Sequence, residues 1–404
     1  MDSTRRVLIT GLGGVTPLGA DAPSTWEALL AGHSGVTRIE EEWADRIPVR
    51  IAGVVKSDLS ERLTVPQTKR LDRAEQFAML AGREAWQDAG APAVDPERFA
   101  IAVGSAIGGL TTTLAQQAQL EDNPRRVSPH TVTMMMANGS AAWLAIELGA
   151  KAGARTPVSA CASGSEAIMM GWEMIRAGTA DIVLAGGTEA CITGLTLDSL
   201  AQTRALSRRE EDPAAVSRPF DVDRDGFVLG EGAAIVVLES EAHARARGAT
   251  AIAEVLGAAL TSDALDIVNA DPVNQERTMR LALRSAGVAP SEVGFVHAHA
   301  TSTSVGDANE GRAIASIVGP DVPVTSTKGA LGHLLGAAGS LGALVAAQAL
   351  RAGRIPHIAT TTTVDPEIRL DVVTGQPRDL GAGVALVNAF GFGGHNVSLV
   401  LARA

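Results

Sequence analysis

One cysteine, three histidines and a lysine stand in runs of small residues along this 404-residue chain. Cys161 lies in SACASGSEA, His297 and His299 in HAHATSTSVGD, and Lys328 and His333 in STKGALGHLLGAAG. A further segment, NAFGFGGHNVSLV, sets Phe390 and Phe392 among glycines. These types suit thioester chemistry. A thiolate attacks a thioester carbonyl and leaves again, which splits one hard step into two. Neutral imidazoles donate N–H to an oxygen on which negative charge develops. Burying two histidines, a lysine and a thiol with no function would demand many compensating hydrogen bonds. Each residue alone also has a plain structural reading, and a lone cysteine is a common core residue.

Elements must bring these residues together. Pro157–Ala160 reads as a short β-prone run leading into Cys161, and a helix follows to Arg176 with Gly178 as its stop. Free backbone N–H groups at such a junction are expected to lower the thiol pKa and to stabilise an oxyanion. Arg6–Thr10 reads as a strand and Gly11–Gly19 as a turn. Ser24 is placed as a helix cap, with Glu27 completing a capping box. Helices are expected over Asp72–Ala89, Thr111–Glu121, Thr133–Gly149, Gln275–Ala286 and Asp307–Val318. Strands are expected over Val49–Val55, Phe99–Val103, Asp181–Ala185, Ala233–Leu238, Ile252–Leu260, Val293–Ala298 and Val322–Ser326. Gly383–Ala389 and Asn396–Leu401 form a closing hairpin. Met134, Met135 and Met136 read as core filling or as a flexible wall for an acyl chain.

The composition sets bounds. Hydrophobic residues make up 46% and charged residues 20%, with 43 glycines, which fits a large, well-buried α/β protein. Tyrosine is absent and aromatics are 3%, so no stacking surface for nucleic acid is expected. The net charge of −11 points the same way, and leaves room for a local basic patch that meets an acidic partner. Two cysteines, Cys161 and Cys191, make neither a disulfide framework nor a zinc site, and fit a reducing compartment. The N-terminal run reads as a first strand rather than a signal peptide. Leu334–Leu350 carries no charge but is short and rich in Ala and Gly, so it reads as a helix buried in the core rather than a membrane span.

A weak internal repeat divides the chain into halves at 1–248 and 249–404. The segment beginning at Ala85 can be laid on that beginning at Ala282. Each gives helix, Ala–Gly stop, loop, apolar strand and polar loop. The helices after Cys161 and His333 both end in Arg–Ala–Gly.

The joint signature resembles the β-ketoacyl-acyl-carrier-protein synthases, the elongating type II condensing enzymes of the thiolase superfamily. The likeness covers essentially Arg6–Leu401 and includes DVDRDGFVLGEGAAIVVLE at Asp221–Glu239. It implies a thiolase-like α/β fold, with two duplicated halves in a five-layered αβαβα arrangement, and a cytoplasmic homodimer. It implies Cys161 as acyl acceptor, His299 and His333 as the histidines of decarboxylative condensation, and Lys328 as the lysine that organises them. Thr301 and Thr303 match contacts to the phosphopantetheine arm. Phe392 matches the mobile phenylalanine near the entry, where its N–H shares an oxyanion hole with that of Cys161, and Phe390 is expected among the substrate-binding residues. Ile107 matches the acyl pocket, and Glu310 a buried structural acid. Lys69, Arg70 and Arg204 match basic residues that meet the acidic acyl carrier protein. The implied partner is thus acyl carrier protein, which supplies the phosphopantetheine, with no bound cofactor or metal, nucleic acid or membrane.

The implied reaction condenses malonyl-acyl carrier protein with a cysteine-bound acyl chain in fatty-acid elongation. The alternatives are a type II polyketide ketosynthase and a non-catalytic scaffold subunit. The retained Cys161 and histidines speak against the scaffold. A cysteine hydrolase would need water at the acyl-enzyme. A biosynthetic thiolase would need a second active-site cysteine, and Cys191 reads as core. A nucleotide site at GLGGVTPLG lacks the full glycine spacing. The chain also departs from the family. His297 replaces a glutamate, Ala300 and Ser302 replace glycines and are expected to narrow the pantetheine passage, and Gly342 stands where a glutamate pairs with the lysine.

Overall fold

The computed structural model describes residues 5–381 and 383–404. In the first half the strands are β1 (Val7–Val15), β2 (Phe99–Gly104), β3 (Gly153–Arg155), β4 (Ile182–Glu189) and β5 (Gly232–Ser240). In the second they are β6 (Ala253–Ser262), β7 (Phe295–His297), β8 (Pro323–Thr325), β9 (Val384–Gly391) and β10 (His395–Arg403). The first five lie in the order β3-β2-β4-β5-β1, and the second five in the order β8-β7-β9-β10-β6, with a two-residue strand, Asp371–Val372, added outside β8 as the eleventh of the sheet. Counted along each half, both orders are third, second, fourth, fifth, first. The directions repeat as well. The last strand of each half runs antiparallel to its two neighbours, while the inner pairs are parallel. β1 and β6 join the halves through Leu8–Glu254 and Ile9–Ala253.

Five helices complete the layers. They are α1 (Arg73–Asp88), α2 (Ser163–Arg176), α3 (Pro272–Ala286), α4 (Ser304–Val318) and α5 (Ala338–Ala352). α1 covers the outer face of the first sheet, and α3 with α4 covers the outer face of the second. α2 and α5 pack on each other between the two. The result is the αβαβα stack. Sheets covered on both faces need strands apolar on both faces, and β1, β4 and β5 are buried at every position. The charge-free run is part of this interior, since 83% of Leu335–Ala352 is buried in the protein. Alanines at 343, 346, 347 and 349 let α5 sit close to its neighbours.

The ends of the helices follow from their caps. Asp72 caps α1 and forms a capping box with Glu75. Gly178 and Gly353 close α2 and α5 in the left-handed region, at φ +73° and +68°.

Several local expectations are corrected. The glycines after Thr10 do not make a turn, and β1 runs through them to Val15. Their role is close approach, because a Cβ on Gly11 or Gly13 would overlap the carbonyl oxygens of Ala85 or Ala81 in α1. β4 likewise continues through Gly186 and Gly187. The strand near Cys161 lies earlier, at Gly153–Arg155, and Pro157–Ser159 is irregular. The helix near Ser24 is capped by Asp21, and Pro23 opens its first turn. The expected helix over 133–149 is two, Thr131–Met135 and Gly139–Leu148. Met135 and Met136 are exposed at the surface and do not fill the core.

Gly13→Ala is expected to destabilise the fold by about 1–3 kcal/mol through overpacking against α1. A Cβ on Gly14 meets nothing closer than 3.7 Å. Gly14→Ala should therefore stay within about 0.5 kcal/mol. Urea midpoints of the two variants against the parent check the contrast.

Candidate active site

Cys161 sits in one turn of 3₁₀ helix, Ala160–Ala162, that feeds α2. Ala160 takes φ +50°, a left-handed conformation that costs an L-residue about 1–2 kcal/mol. Ser163 holds the turn. Its hydroxyl accepts from Ser159 N–H at 2.9 Å and donates to the Ala160 carbonyl at 2.7 Å. Gly391, at the end of β9, is pressed against the same turn, where a Cβ would stand 2.5 Å from Ser159 O and 3.1 Å from Cys161 N. This approach brings the Phe392 N–H to the Cys161 sulfur, beside the cysteine's own N–H.

Above the thiol opens a cavity of about 580 Å³. His299, His333, Thr301, Thr303, Phe390, Phe392 and Ile107 line it together with Cys161, so the residues singled out in the sequence meet in one place. Phe392 is 42% exposed at the cavity, while Phe390 is buried against His299 at 5.7 Å between ring centres. The rings of His299 and His333 meet edge to face at 5.3 Å, and Phe227 meets His333 likewise at 5.6 Å. Thr301 and Thr303 share a hydrogen bond at 3.1 Å. Lys69, Arg70 and Arg204 stand apart from the cavity and are exposed.

Lys328 does not line the cavity. It is buried behind it and donates to the His299 carbonyl. Glu310, inside α4, accepts from His299 N–H at 2.8 Å, Ala300 N–H at 2.6 Å and the Asn388 amide at 3.2 Å. Glu310 also supplies negative charge to Lys328. The question raised by Gly342, what answers the lysine, thus has a carboxylate in reply.

Burial sets the ionisation. It pushes the Cys161 thiol up to about 11, against the charge of Lys328 and the N–H groups, and Glu189 adds to the rise. The sequence expectation of a lowered thiol pKa is therefore corrected, because loss of solvation outweighs the helix end. Burial and the Lys328 charge hold His299 and His333 well below the usual histidine range, so both are neutral donors at neutral pH.

Two departures from the family pattern have a visible geometry. Ala300 and Ser302 keep positive φ, at +26° and +72°. The Ser302 side chain is fully buried and accepts from Arg218 N–H at 2.9 Å, so it turns away from the passage it was expected to narrow. Ala300 does line the cavity.

Sequence reasoning missed several residues. Glu189 is buried under Cys161 and accepts from Ala106 N–H at 2.7 Å, Gly336 N–H at 3.2 Å and Ser105 at 3.1 Å. Asp307 accepts from Phe220 N–H at 2.8 Å and Ser302 N–H at 3.0 Å. Acidic residues inside apolar runs, GGTEA and VGDANEG, were the available signal.

The model of the β-ketoacyl synthase N-terminal domain matches residues 4–244, and that of the C-terminal domain residues 252–362. The chain is 41% identical to a 3-oxoacyl-[acyl-carrier-protein] synthase 2 of Mycobacterium tuberculosis, over 98% of this chain and 97% of that one. It is 38% identical to the protein of that name from Staphylococcus aureus, over 100% and 99%. A solved type II polyketide-synthase ketosynthase, in complex with its acyl carrier protein and bound to a hexaketide, superposes with TM-score 0.91. Its identity is 30%, over 99% of this chain and 100% of that one.

The rate of Cys161 alkylation by iodoacetamide should rise with a midpoint near 11. Lys328→Met removes the positive charge that favours the thiolate, so its midpoint should lie higher still. A midpoint in the ordinary thiol range of about 8.5 would contradict this account.

Proposed function

This chain belongs to the β-ketoacyl synthase family, and we propose that it joins a malonyl unit to an acyl chain in fatty-acid elongation, with both substrates presented by acyl carrier protein. The observation that carries the reading is the convergence of Cys161, two neutral histidines and two backbone N–H groups at one cavity.

The Cys161 sulfur attacks the acyl thioester carbonyl, and its proton passes to the departing phosphopantetheine thiol. The N–H groups of Cys161 and Phe392 receive the charge on the tetrahedral oxygen. Malonyl thioester then enters past Phe392, with Thr301 and Thr303 on the arm. The bond to its carboxylate breaks, CO2 leaves, and the electron pair moves onto the thioester as an enolate. His299 and His333 donate to the enolate oxygen. The enolate carbon attacks the acyl carbonyl on Cys161, the cysteine sulfur leaves as the β-ketoacyl thioester forms, and a proton from water restores the neutral thiol. Lys328 fixes the His299 loop and offsets its carboxylates, and Glu310 is the structural acid beneath it.

The fatty-acid role follows the full-length likeness to the synthase 2 proteins. A polyketide role is the second reading, favoured by the superposition on the hexaketide-bound ketosynthase. Residues 1–248 then supply the nucleophile and 249–404 the histidines. Phe390 and Ile107 shape the substrate space, and Lys69, Arg70 and Arg204 offer positive charge to the carrier. We place the enzyme in the cytoplasm as a homodimer. The unpaired edge of β3 and exposed apolar residues at Ile107, Val132, Met135 and Val158 support a second copy there.

Intact mass after incubation with acyl-loaded carrier proteins tests the reading. One adduct is expected, mapped to Cys161 and absent in Cys161→Ala, and malonyl-carrier protein should discharge it with release of CO2. A parent protein that takes no acyl group from any chain length would overturn the assignment. His333→Ala should impair decarboxylation by about 100-fold or more while acyl loading falls far less. Equal losses in the separate half-reactions would remove the division of labour.

A further inference from the structure

Glu189, the last residue of β4, is fully buried and has no part in the reaction steps. A buried carboxylate needs donors, and this one draws them from two separate stretches of chain. Its Oε2 accepts from the Ala106 N–H at 2.7 Å, in the turn that follows β2, and from the Gly336 N–H at 3.2 Å, just ahead of α5. Its Oε1 accepts from the Ser105 hydroxyl at 3.1 Å, and that hydroxyl accepts in turn from the Gly108 N–H at 2.9 Å. The Ile107 N–H also favours the charge on Glu189. One carboxylate therefore ties a turn of the first half to a turn of the second.

The second turn needs such a tie. Leu335 takes φ +41°, a left-handed conformation that is costly for an L-residue. Gly336 is pressed against the first turn, since a Cβ there would stand 2.6 Å from Ala106 N and 2.7 Å from Glu189 Oε2. The side chains that these turns carry face the substrate space. Ala106, Ile107 and Leu335 line the cavity together with Cys161. Cys161 and Leu335 belong to one apolar cluster, and Ala106 packs against it.

We propose that Glu189 is a positioning residue for acyl selection: it holds Ala106–Ile107 and Leu335–Gly336 in register as one apolar wall, and the lie of that wall sets which chains Cys161 accepts. The proposal rests on the reading of Cys161 as acyl acceptor. Each methylene buried against a fixed wall adds to binding, and a gap of a fraction of an ångström forfeits part of the gain. Loosening the wall therefore costs more as the chain lengthens, and spares a reagent that has no chain.

Alkylation of Cys161 by iodoacetamide and by N-alkyl iodoacetamides of rising length, read by peptide mass, tests this without a carrier protein. At about pH 9 the Glu189 carboxyl, which burial raises to about 7, is charged. Each rate is divided by that of iodoacetamide itself, so that any change in thiol ionisation cancels. In the parent the ratio should climb with length until the apolar space is filled. Glu189→Gln keeps the size of the side chain but turns an amide NH2 group toward donors. Ser105→Ala removes the hydroxyl between Glu189 and Gly108. Both variants should lower the ratio for the best reagent about tenfold, and should flatten the chain-length preference of loading from acyl carrier proteins. An unchanged ratio in Glu189→Gln would overturn the proposal, because a merely structural role lowers all rates alike. If that variant does not fold, an unchanged ratio in Ser105→Ala overturns it instead. A parent ratio that does not vary with length would do the same. Failure of the parent to load from any acyl carrier protein would count against the assigned reaction, while the reagent series would still decide whether Glu189 holds the wall.

Discussion

A charged lysine sealed inside the protein is the constraint from which the site takes its shape. An isolated buried ammonium costs several kcal/mol, so Lys328 must be answered by nearby groups. Its hydrogen bond goes to the His299 carbonyl, and its countercharge comes from Glu310. Glu310 in turn holds the N–H groups of His299 and Ala300. One charge pair therefore fixes the backbone on both sides of the His299 ring. The same loop carries Ala300 and Ser302 at positive φ, a cost of about 1–2 kcal/mol each. Glu310 and Asp307, both projecting from α4, supply the bonds that offset it. The strain is local, and the acids that bear it lie on a helix whose Ala313, Ile314 and Ile317 share a core with the second sheet.

The duplicated strand order brings the other partners to that loop. Each half sends a helix into the middle layer, and each helix follows a turn that carries chemistry. Cys161 precedes α2, and His333 lies just ahead of α5. Packing α2 on α5 brings the two turns together, provided that the backbones can touch. Gly164, Gly187 and Gly336 meet that condition, since a Cβ on Gly187 would stand 3.0 Å from Gly164 Cα and would also strike the Gly336 carbonyl. Glu189 sits beneath both turns and binds the N–H groups of Ala106 and Gly336. Close packing of this kind leaves little freedom for a thiol and two imidazoles to drift from their geometry.

Much of this was legible in the sequence because its signals are local. Apolar runs bounded by glycine gave most of the strands, and Asp72 with Glu75 marked the start of α1. The cluster of Cys161, His299 and His333 could be named from motifs that resemble a known family, and the cost of burying such residue types without a purpose pointed the same way. What could not be read depends on distant partners. Gly11 and Gly13 look like turn residues until α1 lies on them. Glu189 and Asp307 look like ordinary acids until the N–H groups they hold are known. His297 and Gly342 looked like two unrelated substitutions, because they are separated along the chain and touch only across β7 and α5. The thiol pKa was misjudged for the same reason. The helix end is visible in sequence, while the depth of burial is not.

Burial acts on every titrating group of the site in one direction, toward the neutral form. It raises the thiol, and it lowers the lysine and the histidines. Apart from the Lys328–Glu310 pair behind its wall, the cavity holds little charge when empty, and it faces the substrate with fixed N–H donors. Such donors serve charge that appears in transit, on a tetrahedral oxygen or an enolate, and need no rearrangement when it does. A protonated histidine would donate more strongly, yet beside a buried ammonium it would meet repulsion and a desolvation cost of its own. Neutral imidazoles next to Lys328 are therefore the form that the interior permits, and a neutral N–H donor can meet a developing enolate without trapping it as the enol. The charge balance at Lys328 keeps them so, which ties the reactivity of the cavity to the residues behind its wall.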